Sequence, residues 1–127
     1  MKVTLILFTL ILLLIAADTV FAIPNPAAVY CEKLGYQYKI VKTPQGEKGI
    51  VVPEPGVEFD AWDFFRGKVG NKYSYGKRHG YDTECVREDK GTYTVEYAVC
   101  VRKERKGEQI IETRTPMLEL MKKMENH

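Results

Sequence analysis

The sequence predicts a small single-domain α+β fold: two helix-plus-β-hairpin units, a short tryptophan-containing helix between them and a C-terminal helix. Three observations carry this expectation. Ala27, Tyr30, Cys31 and Leu34 recur at helical spacing, whereas Tyr36, Tyr38 and Ile40 alternate with Gln37, Lys39 and Val41 as in a half-buried strand. The segment YCEKLGYQYKIV, from Tyr30, also returns without gaps as YGKRHGYDTECV, from Tyr75, sharing Tyr, Gly, Tyr and Val. Neither unit is large enough to bury a core alone, so the two are expected to share one.

The chain begins with a basic Lys2, an apolar run from Val3 to Ala17, and small residues Val20 and Ala22 at the −3 and −1 positions of a cleavage site. This is the pattern of a secretory signal peptide over residues 1–22, and the run is shorter than the roughly 20 apolar residues of a spanning helix. An uncleaved leader acting as an anchor is the lesser alternative. Residues 23–127 suffice for one hydrophobic core, with a family-like α+β domain expected over 23–101 and a charged linker and amphipathic helix over 102–127. The expected location is secreted or extracytoplasmic, where disulfides persist. The formal net charge of +2 gives little pull toward a polyanion, which argues against nucleic acid as a partner.

Asn25 is expected to cap the first helix, Pro26 to begin it and Gly35 to end it. Pro44 and Gly46 then turn the chain into a returning strand at Ile50–Val52. Pro53, Pro55 and Gly56 force another turn, Asp60 caps a short helix, and Gly67 ends it. Trp62, Phe64 and Phe65 on that helix are expected to be core anchors. The second unit closes with a strand at Ala98–Val101, echoing Gly49–Val52. RKERKGEQ reads as a solvated charge run, and Thr115 and Pro116 are expected to cap and start a helix whose stripe is Met117, Leu120, Met121 and Met124. Docking on the domain is the default for that stripe; weak membrane contact is the alternative.

NPAAVYCEKLG followed by GEKGIVVPEPGVEFDAWDFFRG resembles a small domain-of-unknown-function family of exported proteins, some of whose bacterial members carry a hemolysin label. The similarity continues more faintly, toward cysteine-rich archaeal relatives, through YSYGKRHGYD to EYAVCV. The resemblance brings no activity with it. Where such relatives have cysteine, this chain has Val51, Phe59, Val69 and Gly76, which implies crosslinks replaced by packing. Cys31 and Cys100 stand at family-like positions and Cys85 does not.

Three cysteines allow one bridge: Cys85–Cys100 would staple the second hairpin across its turn, Cys31–Cys100 would tie the first helix to the last core strand, and Cys31–Cys85 completes the set. Cys31 lies on the apolar helix face, which favours a buried role over a reactive one. Ser74 and His79 stand in no strand-to-helix elbow, and Asp60 and Asp63 have a simpler use as cap and first-turn charge, so no catalytic residue is assigned and an enzyme is not expected. Metal-ligand spacing is missing from the sequence and no cofactor is implied. The segment most like a binding surface interleaves Lys72, Lys77 and Arg78 with Tyr73 and Tyr75, a pattern suited to an anionic envelope polymer or an acidic protein. Its bland counterpart is a solvated loop with inward tyrosines. The function expected is a non-enzymatic exported binding module; an inhibitor of an extracellular enzyme, presenting VPEPGVEF, is the alternative, and a membrane-active protein a second.

Overall fold

The structure is a computed structural model that describes residues 2–3 and 23–127; the expected cleavage site, and all but two residues of the expected leader, lie outside them. Helix α1 (Pro26–Lys33) starts where Asn25 Oδ1 accepts from the Ala27 N–H at 3.0 Å, and Gly35, at φ +74°, closes it. Strands β1 (Gln37–Thr43), β2 (Gly46–Glu54) and β3 (Val57–Asp60) form an antiparallel meander. Next come α2 (Ala61–Phe65), a 3₁₀ turn at Asn71–Tyr73, and α3 (Tyr75–Arg78). A second antiparallel meander follows in β4 (Asp82–Asp89), β5 (Thr94–Lys106) and β6 (Gln109–Pro116), and α4 (Met117–Glu125) ends the chain.

The sequence echo is a structural repeat. Both helices end alike: Gly35 donates to Glu32 and Tyr36 to Cys31, as Gly80 donates to Lys77 and Tyr81 to Gly76. Both hairpins share a register, with Tyr38 opposite Val51 and Ile40 opposite Gly49 in the first, and Thr83 opposite Cys100 and Cys85 opposite Ala98 in the second. Each unit is a helix followed by three strands rather than two, because β3 and β6 add an outer strand to each hairpin.

One core joins the units. It draws Tyr30, Cys31 and Leu34 from α1, Val51 from β2, Phe64 from α2, Cys100 from β5 and Met117, Leu120 and Met121 from α4. Tyr30 is the hinge pin: its ring meets Phe64 at 5.1 Å, and its hydroxyl accepts from the Tyr75 N–H at 2.9 Å, tying α1 to the start of α3.

Three expectations change. RKERKGEQ is no loose linker: β5 runs through Lys106 and turns at Gly107 into β6, so beyond Val101, where β4 stops pairing, the two strands continue alone with both faces exposed. Charged side chains on both faces of Arg102–Lys106 leave no apolar period to betray a strand. At α4, Pro116 takes the cap position and Met117 the first turn, with no side-chain cap, because Thr115 still pairs with Cys100 in the sheet. On α2, Phe64 is the core anchor at 1% exposure, whereas Trp62 is 36% exposed and Phe65 half-buried. A five-residue helix turns too little to bury side chains on every side.

Candidate ligand-binding groove

The largest hollow among those described lies on the first sheet. The tip of its hairpin is a two-residue turn, Pro44–Gln45, fixed by the Thr43 hydroxyl, which donates to the Gly46 carbonyl at 2.8 Å and accepts from the Gln45 N–H at 3.2 Å. Tyr38, Ile40, Gly49 and Val51 share the inner face. Gly49 is what lets the Tyr38 ring lie over β2, since a β-carbon at 49 would stand 2.8 Å from Tyr38 Cζ. The result is an open groove of about 570 Å³, floored by Tyr38 and Ile40, edged by Asn25, Thr43 and Gln45, and ended by Trp62.

Asp60 braces the Trp62 end. One carboxylate oxygen caps α2 by accepting from the Asp63 N–H at 2.9 Å, and the other pairs with Lys48 at 3.2 Å. Partial burial alone would raise this carboxyl; the Asp63 N–H and Lys48 outweigh it and hold the group below the usual aspartate value. Trp62 stands edge-on to Phe65, with ring centroids 5.9 Å apart, and under the Arg66 guanidinium at 5.2 Å. Arg66 also lines a second hollow of about 320 Å³ with Arg87, Thr94 and Glu96. The groove was not legible as a site, because its walls come from residue 25, residues 38–49 and residues 60–62; the one sequence signal is a glycine on the apolar face of a strand.

The basic and aromatic segment has the solvated-loop arrangement weighed against a binding surface, with its tyrosines engaged by the fold. Tyr73 donates to Glu54 at 2.7 Å, and its carbonyl accepts from Tyr36 at 2.7 Å. The Tyr75 ring stacks on His79 at 4.2 Å, and its hydroxyl points to Met124 Sδ at 3.4 Å. Lys77 pairs with Asp82, Lys72 lies 5.2 Å from the Tyr73 ring, and Arg78 covers the Tyr36 ring at 4.7 Å. The cations remain exposed, but the tyrosine faces serve the fold.

The expected disulfide gives way to three free thiols. Cys85 faces Ala98 while Cys100 faces Thr83, so the two cysteines are diagonal neighbours, about 7–8 Å apart and not directly opposite each other as a bridge across the hairpin would need. Cys31 and Cys100 are fully buried, and burial pushes each thiol up to about 11. Cys85, half-buried, is also raised, first by burial and then by Glu96. Ser74 and His79 form no couple: the serine hydroxyl shares a 2.7 Å hydrogen bond with Thr83 and caps α3, and His79 Nδ1 lies 2.8 Å from the Tyr75 carbonyl.

Residues 22–68 match the family described as Domain of unknown function (DUF333). Every residue that lines the groove falls within that DUF333 segment. An uncharacterized protein of Archaeoglobus fulgidus is 48% identical over 89 residues, which is 69% of this chain and 41% of the relative. The chain thus spans under half of that relative's length. No solved structure matches.

Proposed function

We propose that this protein is a non-catalytic binding module that works outside the cytoplasm, with its ligand in the groove between the first hairpin and Trp62. The observation that carries the reading is the groove itself: a preformed hollow with an aromatic and aliphatic floor, polar edges that include Glu47 and the Lys48–Asp60 pair, and an exposed tryptophan braced by Phe65 and Arg66. The leader pattern supports an extracytoplasmic site of action. The absence of a catalytic role is supported by Ser74 and His79 being engaged with other groups, and by thiols whose burial disfavours the reactive thiolate.

The two alternatives have less support. The turn expected to insert into an enzyme is a tight one, with Glu54 paired to Val57 across Pro55 and Gly56, so it offers no extended segment for a cleft. Membrane activity would need the α4 stripe, yet Met117, Leu120 and Met121 are buried against the domain. Among the described residues no helix is long and apolar enough to cross a membrane.

Co-sedimentation of the purified protein with washed cell-envelope material tests the reading. Retention that Trp62→Ala abolishes and Lys72→Ala with Arg78→Ala preserves is the expected result. Loss with the cation variants alone would move the site to α3, and no retention by any fraction would remove the function.

A further inference from the structure

Two hollows adjoin where Arg66 of one lies over Trp62 of the other, and they differ in chemistry. On one side of Trp62 lies the main groove, where Tyr38 and Ile40 give flat apolar surface, and where the cap and the hairpin turn leave the Asn25 amide N–H groups, one Thr43 hydroxyl lone pair and the Gln45 amide for a ligand. On the other side lies the hollow lined by Arg66 and Arg87. Arg66 lines the second hollow alone, and its guanidinium lies over the Trp62 ring that ends the first, so the two hollows adjoin through that one contact.

The charges around that second hollow do not cancel. Glu96 takes Lys68 at 3.1 Å and Arg87 at 3.6 Å. Arg66, Lys68 and Arg87 outnumber Glu96 and the neighbouring Asp63, so a cation is left over beside the indole. Lys48 at the main groove is paired with Asp60, and Glu47, which also lines it, adds a carboxylate that can accept from sugar hydroxyls.

We infer that the ligand is an acidic oligosaccharide, with sugar rings laid against Trp62 and Tyr38, hydroxyls on Asn25, Thr43 and Gln45, and an anionic substituent at Arg66 and Arg87. This rests on the binding-module reading above. Planar amides and hydroxyls match the paired donors and acceptors of adjacent sugar hydroxyls, and an exposed indole supplies a flat, amphipathic platform at low entropic cost. A peptide would be read by backbone pairing along a strand edge, whereas the groove presents the face of the first sheet, with the Tyr38 and Ile40 side chains as its floor. Nucleic acid would call for a larger basic surface than a chain of net charge +2 offers.

Trp62 is the sole tryptophan of the chain, so its fluorescence reads this site alone. Three probes are titrated into the full chain: oligogalacturonate, a neutral chito-oligosaccharide of the same length, and poly-glutamate. A saturable change with oligogalacturonate is expected, weaker by roughly tenfold with Arg87→Gln as a charge-assisted contact is lost, and weakened by salt. Calorimetry on Trp62→Phe, which keeps an aromatic ring for folding, should show affinity reduced as well. Silence toward oligogalacturonate overturns the inference, as does an equal response to poly-glutamate, which would mean charge alone, or to the neutral sugar, which would remove the role of the arginines. Silence here together with retention on envelope material would reject the saccharide and leave the binding module standing.

Discussion

Gly76 on α3 backs directly onto Cys100 of β5. A β-carbon built at 76 would stand 2.8 Å from Cys100 Sγ and 3.6 Å from its Cβ, with Thr83 Oγ1 at 2.7 Å. The Cβ separation is that of a disulfide. In the repeat, Gly76 occupies the place of Cys31, and Cys100 the place of Val51. Each unit therefore keeps one half of the same helix-to-sheet bridge: Cys31 the helix half of the first, Cys100 the strand half of the second.

Gly76→Cys is accordingly expected to bridge Cys100 on oxidation, with a local shift of the Thr83 side chain, whose hydroxyl a β-carbon at 76 would otherwise meet at 2.7 Å. Peptide mapping under nonreducing conditions checks it; an introduced thiol that stays free in oxidant would count against the geometry. Gly76→Ala has the same crowding and no bond to offset the shift of Thr83, whose hydroxyl is tied to Ser74. Overpacking of this kind costs about 1–3 kcal/mol, which a urea midpoint would register.

Much of the first unit is written locally. Asn25, Pro26 and Gly35 act through the backbone next to them; the alternation at Tyr36–Val41 marks a strand, although Ile40, 60% exposed, lies in the open groove and not in the core. The repeat was legible for the same reason, since Gly35 and Gly80 answer the same left-handed turn. What could not be read is what depends on distant partners. Trp62 looks like a core residue by type and spacing, yet only the packing of Phe64 against Tyr30 decides which ring goes inside. For Tyr73 and Tyr75 the repeat favours an inward orientation, but the partners that hold them, Glu54, Tyr36 and His79, come mostly from distant segments.

Thiol reactivity should follow burial. Cys85 is expected to label first in the native protein, and Cys31 and Cys100 only as the chain unfolds, in a time course followed by intact mass. Rapid native labelling of Cys31 would contradict its place in the core.

The same two buried thiols give stability an alkaline limit. Their folded values are raised from 9.0 to about 11, so the folded state holds these protons more tightly than the unfolded one. That stabilisation is complete below pH 9.0 and is lost as pH rises toward 11. Tyr30, raised chiefly by burial, extends the decline at still higher pH. Chemical denaturation between about pH 8 and 11 should show the fall, and Cys31→Ala should make it shallower; an unchanged slope would assign the limit to other groups.

Asp60 sets an acid limit of opposite sign. Its folded carboxyl lies below the ordinary 3.8, so its contribution is present above that value and disappears as pH falls through the folded one. Asp60→Asn keeps an oxygen for the α2 cap but gives up the charge facing Lys48. The variant should therefore be less stable near neutrality and converge on the parent in acid. A constant gap at every pH would indicate that shape alone matters at this cap.

Helix α4 closes the core, and its removal should be costly. Met117, Leu120 and Met121 turn inward, while Lys33 of α1 and Glu125 of α4 form an ion pair that holds the far end. That pair is exposed and adds little, so the apolar face must supply the attachment. Leu120→Ala is expected to cost about 2–5 kcal/mol, and Leu120→Met, which keeps the volume, under about 1.5 kcal/mol. Comparable small losses for both would mean that α4 lies on the domain without completing it. In that case Cys100 and Tyr75, which α4 helps to cover, should become accessible in native hydrogen exchange and thiol labelling, and a free amphipathic helix would return as a candidate surface for partners.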